Sequence, residues 1–353
     1  ALSALQSRPE VVAVHDDPVI EARGVCGGSP AVGTHHDVAG RLDTAALAAR
    51  GLDGKGVPLV IVDTGVNAAH LAAVGQTPRL DPARGWAPAG VGTAPGSHPL
   101  DHGTMCAFDA CIAAPNADLL DYAVLLSTVP GSTAMAGLLS DAIAAYAHLR
   151  AKLLATPVAD RRMVVSNSWG MYDPMWDFPP GHPGNYSDNP QHPFNVVVAS
   201  LEAAGADILF AAGNCGRQCP DGRCAFGQAP PICGANSLPS VLTVAAVDTT
   251  DVLAGYSSQG PGRLSIQKPD LAGYAHFAGS KVYPGDVDGG TSAACPVVAG
   301  VVAAVRTRHS AHSLPPARLR ALLQRTARDL GSVGFDHDHG WGVVDPAALL
   351  QKI

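Results

Sequence analysis

The chain has 353 residues, 47% of them hydrophobic and 15% charged, which excludes a disordered polymer and supplies enough apolar side chains for a large core. Its formal net charge of -7, with no basic cluster, argues against nucleic acid as a partner. No apolar run reaches the length of a membrane span.

In chain order, Leu5 to Asp17 reads as a helix end turning into a strand. Residues 23–40, with Gly24, Gly27, Gly28, Pro30 and Gly33, form a flexible connection with room for a processing site. The apolar run Val60-Ile61-Val62 ends in Asp63-Thr64-Gly65 and predicts a buried parallel strand. Active-site residues of open α/β sheets gather at the carboxyl ends of such strands, so Asp63 is placed to orient a base. Asp101-His102-Gly103-Thr104 opens a small-residue helix. An imidazole takes a proton from a hydroxyl at neutral pH and needs a carboxylate on its other nitrogen, so His102 fits the base.

Helical periodicity runs from Leu138 to Leu154, and Tyr172 to Pro193 is a long loop rich in Pro, Gly, Asn and His. A second apolar strand, Ile208 to Ala212, delivers Asn214, whose amide NH2 suits a developing oxyanion. Gly289-Gly290-Thr291-Ser292-Ala293-Ala294-Cys295-Pro296 leads into the small-residue run Val297 to Ala304. A serine at the head of a helix, after glycines that let the chain turn tightly, is placed as a nucleophile. Each residue also has a plain structural alternative: Asp63 a strand-end cap, His102 a helix-start histidine, Asn214 a turn residue tolerating the left-handed region, Ser292 a helix N-cap. Four such accidents in this order are far less economical than one site.

The four segments, in the order Asp63, His102, Asn214, Ser292, resemble the Asp-Thr-Gly, His-Gly-Thr, Ala-Ala-Gly-Asn and Gly-Thr-Ser-x-Ala-x-Pro signatures of subtilisin-like serine peptidases, the subtilase family. Val164 to Gly170, Tyr256 to Pro261, Lys268-Pro269-Asp270 and Gly340 to Asp345 are similar to its further motifs, so the resemblance spans roughly the last 310 residues. It implies an α/β fold with a mostly parallel central sheet and helices on both faces. The implied activity is that of a serine endopeptidase with Asp63, His102 and Ser292 as triad and Asn214 as oxyanion donor. Substrate would lie as an added strand along Ser168, Trp169 and Gly170. A peptide ligase or macrocyclase on the same site, or a silent binding scaffold, are the other functions to weigh.

The resemblance further implies a polypeptide substrate, a monomer, a secreted or cell-envelope location, no cofactor for catalysis and no metal at the catalytic site. Structural calcium is common in the family, but no oxygen ligand set can be mapped. Residues 1–22 resemble the end of an inhibitory prodomain or form an N-terminal arm, with residues 23–353 as the catalytic domain. The 172–193 loop would border the substrate groove.

Of eight cysteines, Cys215, Cys219, Cys224 and Cys233 cluster after Asn214 in a Gly/Pro-rich loop. Two disulfides among them, or a four-thiolate zinc shell, would staple it. The absence of a Cys-x-x-Cys pair and the family's common export favour disulfides, of open connectivity. Cys106, Cys111 and Cys295 suit buried thiols, and Cys106 matches the cysteine beneath the catalytic histidine in the proteinase K-like branch.

Met105, Phe108-Asp109, Val297 and Trp169 depart from the family pattern, which points to altered helix packing and groove floor. Trp169 is either a packing residue or the wall of a subsite. Asp336-His337-Asp338-His339 is favoured as a solvated loop over a metal site.

Overall fold

In the computed structural model, which describes residues 25–126, 136–227 and 229–353, the strand expected to end at Asp63 is β1, Pro58–Val62, an interior strand of a seven-stranded sheet. The others are β2 (Arg79–Leu80), β3 (Asp118–Tyr122), β4 (Val164–Asn167), β5 (Asp207–Ala211), β6 (Leu242–Val247) and β7 (Leu271–Tyr274), in the order β2-β3-β1-β4-β5-β6-β7. Every pairing is parallel, with Val62 opposite Tyr122 on one side and Asn167 on the other. Parallel strands need crossover connections, and those put helices on both faces of the sheet.

The helices are α1 (His35–Arg41), α2 (Thr44–Ala49), α3 (Ala68–Ala73), α4 (His102–Cys111), α5 (Leu139–Ala155), α6 (Pro193–Ala203), α7 (Thr291–Arg306), α8 (Pro316–Thr326) and α9 (Pro346–Leu349). Strand alternation divides the core in two. Leu59, Ile61, Leu209 and Ala211 face the layer of α4 and α7, whereas Val60, Val62, Ile208 and Phe210 face that of α5 and α6. The run predicted from Leu138 to Leu154 is α5, whose Ala142, Ala145, Tyr146, Leu149 and Leu153 form its buried stripe.

Buried on all sides, α7 carries small residues for a geometric reason. A Cβ added at Gly300 would meet the Ala110 carbonyl oxygen at 2.2 Å, so α4 and α7 touch backbone to backbone there. The departures Met105, Phe108, Asp109 and Val297 are all buried in or beside this contact.

Two expectations are corrected. Where residues 23–40 were expected to be flexible, residues 25–34 are tied to the body through Gly255 N–H to Val25 O (2.9 Å), Val32 N–H to His276 O (2.7 Å) and Ala278 N–H to Gly33 O (3.0 Å), and α1 begins at His35. One of its glycines serves close approach: a Cβ at Gly33 would meet the Thr249 hydroxyl at 2.6 Å. Nor is Asp336–His339 simply solvated. Asp336 Oδ1 accepts the N–H groups of Asp338 and His339 (2.9 and 2.7 Å), and Asp338 accepts from Gln259 (2.9 Å), which closes a turn. The expected prodomain remnant or arm, residues 1–22, lies outside the described residues.

Gly300→Ala is expected to lower stability by on the order of 1–3 kcal/mol, because α4 and α7 must part to admit the methyl group. An unchanged urea midpoint would show that the two helices do not rest on each other.

Candidate active site

Asp63 follows β1 and is held in place by its backbone: its N–H donates to Tyr122 O (3.0 Å) and its carbonyl accepts from Leu125 N–H (2.9 Å). His102 is the first residue of α4, behind the N-cap Asp101. A Cβ at Gly103 would meet the Gly65 carbonyl oxygen at 2.5 Å, and Gly103 N–H donates to the Thr64 hydroxyl at 2.9 Å. The first turn of α4 is thereby seated on the turn after Asp63. The result is a hydrogen bond from His102 Nδ1 to Asp63 Oδ1 at 2.8 Å, with Asp63 only 1% exposed. Since the carboxylate only accepts, Nδ1 carries the proton and Nε2 is left as the basic nitrogen. Burial alone lowers the His102 pKa, but the charge and hydrogen bond of Asp63, with help from Asp101, outweigh it and leave it above 6.5.

Ser292 lines the same cleft as His102 and Asn214. It is the second residue of α7, two places beyond the N-cap position, which belongs to Gly290 at φ 74°. Its hydroxyl donates to the Ser168 carbonyl at 3.3 Å, and Ser168 Oγ donates to the Ser292 carbonyl at 3.0 Å. No hydrogen bond joins Ser292 to His102 in this state; resting geometries of such pairs are commonly loose. Asn214 is not left-handed. Its Oδ1 accepts from Thr291 N–H (2.9 Å) and the Thr291 hydroxyl (3.1 Å), which commits the oxygen and leaves the NH2 end for a ligand.

Beyond the end of β4, Ser168, Trp169 and Gly170 form one wall of the cleft. The Trp169 carbonyl accepts from Asn236 Nδ2 at 2.9 Å, so that group faces the body of the protein. Its indole packs against Phe194 and Phe210 (centroids 5.6 and 5.5 Å) and also lines the cleft, which joins the two expected roles. The 172–193 loop contributes Tyr172, Trp176 and Tyr186 to the cleft, and Asp177 pins it by accepting from Tyr186 N–H, Ser187 N–H and the Ser187 hydroxyl (2.9, 2.8 and 2.7 Å).

The cysteine loop departs from expectation. Cys215 pairs with Cys224 as one of the foreseen combinations, but Cys219 pairs with Cys26, 193 residues away, and Cys233 is a buried thiol. The cause is tertiary: Val25 and Cys219 both bond to Gly255, which brings the 25–31 segment beside the loop. With three of the four sulfurs in disulfides, the zinc alternative fails. Cys106, Cys111 and Cys295 are buried thiols as expected. Cys106 Sγ lies 3.7 Å from both Asp63 Oδ2 and His102 Nδ1, and burial pushes its pKa well up, so it stays a neutral thiol. Among the described residues, Asp63, His102 and Cys106 form the one cluster of three metal-capable side chains.

Sequence reasoning missed Thr291, Thr64, Tyr172, Arg223 and Cys26. Thr291 and Thr64 stood inside the recognised motifs, whereas the others act through contacts that no local pattern encodes.

A model of the subtilase family matches residues 54–342. The chain belongs to the subtilase family. It is 36% identical over 131 residues to fervidolysin of Fervidobacterium pennivorans, covering 32% of this chain and 18% of that protein. It is 31% identical over 154 residues to an extracellular protease of Xanthomonas campestris pv. campestris, covering 42% of this chain and 24% of that protein. These matches thus span less than a quarter of either relative's length. In fold it is similar to MycP1 from Mycobacterium smegmatis (TM-score 0.60, 21% identity, 95% of this chain and 89% of that one) and to sphericase (0.58, 24%, 83% and 92%).

One subtilase departure has an electrostatic consequence. Asp109, in α4, is fully buried, neither of its oxygens has a donor among the described residues, and its carboxyl faces that of Asp288. Asp288 accepts from Ser280 N–H (2.7 Å) and the Ser280 hydroxyl. Burial raises both pKa values, Asp109 well above its ordinary value and Asp288 to about 6. The folded state binds these protons more tightly than the unfolded state, so their stabilisation is complete below the unfolded value of 3.8 and is lost as pH rises through the folded values. Asp109→Asn, whose NH2 can donate to Asp288, is therefore expected to be more stable than the parent at pH 8, by on the order of 1–3 kcal/mol, and to lose that advantage toward pH 4. A stability difference that does not vary with pH in urea unfolding would refute the shared proton.

Proposed function

We propose that this subtilase is a serine endopeptidase in which Ser292 is the nucleophile, His102 the general base, Asp63 its orienting carboxylate and Asn214 the oxyanion donor. The observation that carries the reading is the 2.8 Å bond from His102 Nδ1 to Asp63 on a cleft shared with Ser292 and Asn214. Turned from the Ser168 carbonyl toward His102 Nε2, the Ser292 hydroxyl gives up its proton as Oγ attacks the scissile carbonyl. His102 returns that proton to the leaving amine, and water then repeats the sequence on the acyl-enzyme. The Asn214 NH2 and the Ser292 N–H stabilise the oxyanion. A side-chain donor of this kind is worth about a hundredfold to a thousandfold in kcat.

Substrate lies extended along Ser168–Gly170, where backbone pairing supplies affinity and flanking pockets supply selectivity. The chemistry asks for no cofactor, and water is the second substrate. The two disulfides favour an oxidising compartment, so the protein is read as secreted or held at the cell envelope. No helix among the described residues is long and apolar enough to cross a membrane. Residues 23–353 are read as the catalytic domain, acting as a monomer on polypeptides.

Ser292→Ala is expected to abolish cleavage of a fluorogenic peptide library and labelling by a fluorophosphonate, while the circular dichroism spectrum and unfolding midpoint stay as in the parent. Residual cleavage at the parental rate would place the nucleophile elsewhere. Because the base must be neutral, kcat/KM should fall as pH drops through the His102 pKa, with an acid limb above 6.5. Replacing Asp63 by Asn should cost about 10⁴-fold in kcat, and a rate independent of Asp63 would remove the triad reading.

A further inference from the structure

Arg223 is the only permanently charged side chain, among the described residues, on the wall of the cleft that holds His102, Asn214 and Ser292. Its position is built rather than incidental. The Cys215–Cys224 bridge closes its loop, Asp221 N–H donates to Asn214 O (2.8 Å), and Ala225 N–H donates to Tyr172 O (3.0 Å). The guanidinium lies over the Tyr172 ring, 4.0 Å from the centroid. Nε and Nη2 are engaged by Asp221 at 2.9 and 2.8 Å, and Nη1 has no protein partner among the described residues.

Asp221 orients this cation without sharing its outlook. It lines the opening on the far side of Asn214, not the cleft that Arg223 faces. Tyr172 borders both that cleft and the narrow pocket behind Ser168–Gly170, so the guanidinium stands where the two meet. In a chain of net charge -7, this is a local cation on an otherwise uncharged wall. A bound peptide would cover its open side, and exclusion of water strengthens a charge-assisted bond from Nη1 to a carboxylate.

We infer that Arg223 selects substrates that carry an acidic side chain beside the scissile bond, on the residue that reaches the rim formed by Tyr172 and Asn214. The inference rests on the peptidase reading above. Arg223 takes no part in bond making; it acts on which peptide is held.

The test uses the full chain and a cleavable fluorogenic peptide in which Glu or Gln is placed in turn at each of the three positions on either side of the scissile bond. At one position the parent should prefer Glu over Gln by about three- to tenfold in kcat/KM, a range set by a partly exposed charge pair. That ratio should fall to about one in Arg223→Gln, invert in Arg223→Glu, and shrink with added salt in the parent. Glu/Gln ratios of one at every position would overturn the inference, as would a loss in Arg223→Gln that is uniform across peptides with the ratio preserved. Cleavage of the all-Gln peptide by the parent and not by Ser292→Ala keeps the peptidase reading standing whichever way the ratios fall. Failure of the parent to cleave any peptide would remove both.

Discussion

The rest of the structure depends on two buried helices meeting with no side chain between them. Gly300 of α7 lies against the backbone of Ala110 in α4, and Gly103 at the start of α4 lies against Gly65 beyond β1. His102 stands at the head of one helix and Ser292 at the head of the other, while Asp63 ends the strand between them. Backbone contacts have no rotamers, so the separation of these three residues is fixed by main-chain packing and is insensitive to repacking nearby. The small-residue runs after His102 and after Ser292 are thus a requirement of the site as much as of the core.

The second constraint is the orientation of polar groups within that frame. An amide can point either end toward a ligand, and a hydroxyl can rotate. Thr291 removes the first freedom by donating twice to Asn214 Oδ1, and Asp63 removes the tautomeric freedom of His102. The Ser292 hydroxyl is not so confined; it rests on the Ser168 carbonyl. Leaving that carbonyl asks for rotation about one side chain, which suits the nucleophile's role proposed for Ser292.

Sequence legibility followed the range of the interactions involved. Strand ends at Asp63 and Ala211–Asn214 were plain because a parallel strand buried on both faces reads as an unbroken apolar run closed by its first polar residue. The helix of Leu139–Ala155 was plain from its stripe, and the sheet with a helical layer on each face was what the resemblance to subtilases implied. The Cys219 partner was not legible, because pairing across 193 residues is decided by Gly255 hydrogen-bonding to Val25, a contact with no local signature. Residues 25–34 misled for a related reason. A glycine that admits a neighbouring side chain, as Gly33 does for Thr249, looks in sequence like a glycine of a loose linker, and only the presence of Thr249 and His276 alongside distinguishes it. Asp336–His339 offered metal-ligand residue types, yet its first carboxylate is spent on its own backbone N–H groups.

The two walls of the cleft are built on different principles. Asp63, His102 and Ser292 stand on sheet and helix termini that the whole core holds in place, whereas Tyr172, Trp176 and Arg223 stand on loops held by an aspartate, a stacked ring and a disulfide. Most of these fastenings are local, since Asp177 grips residues within its own loop and Cys215 joins a cysteine nine residues away, and the long one, Cys219–Cys26, ties the cysteine loop to the 25–31 segment and not to α4 or α7. A change in either loop therefore alters the shape or charge presented to a ligand without passing strain to the α4–α7 contact. Separation of this kind lets a family keep one reacting geometry while its members diverge in what they bind, and it leaves Tyr172, Trp176 and Arg223 where the core does not restrict them, unlike the departures Met105, Phe108, Asp109 and Val297, which the core encloses.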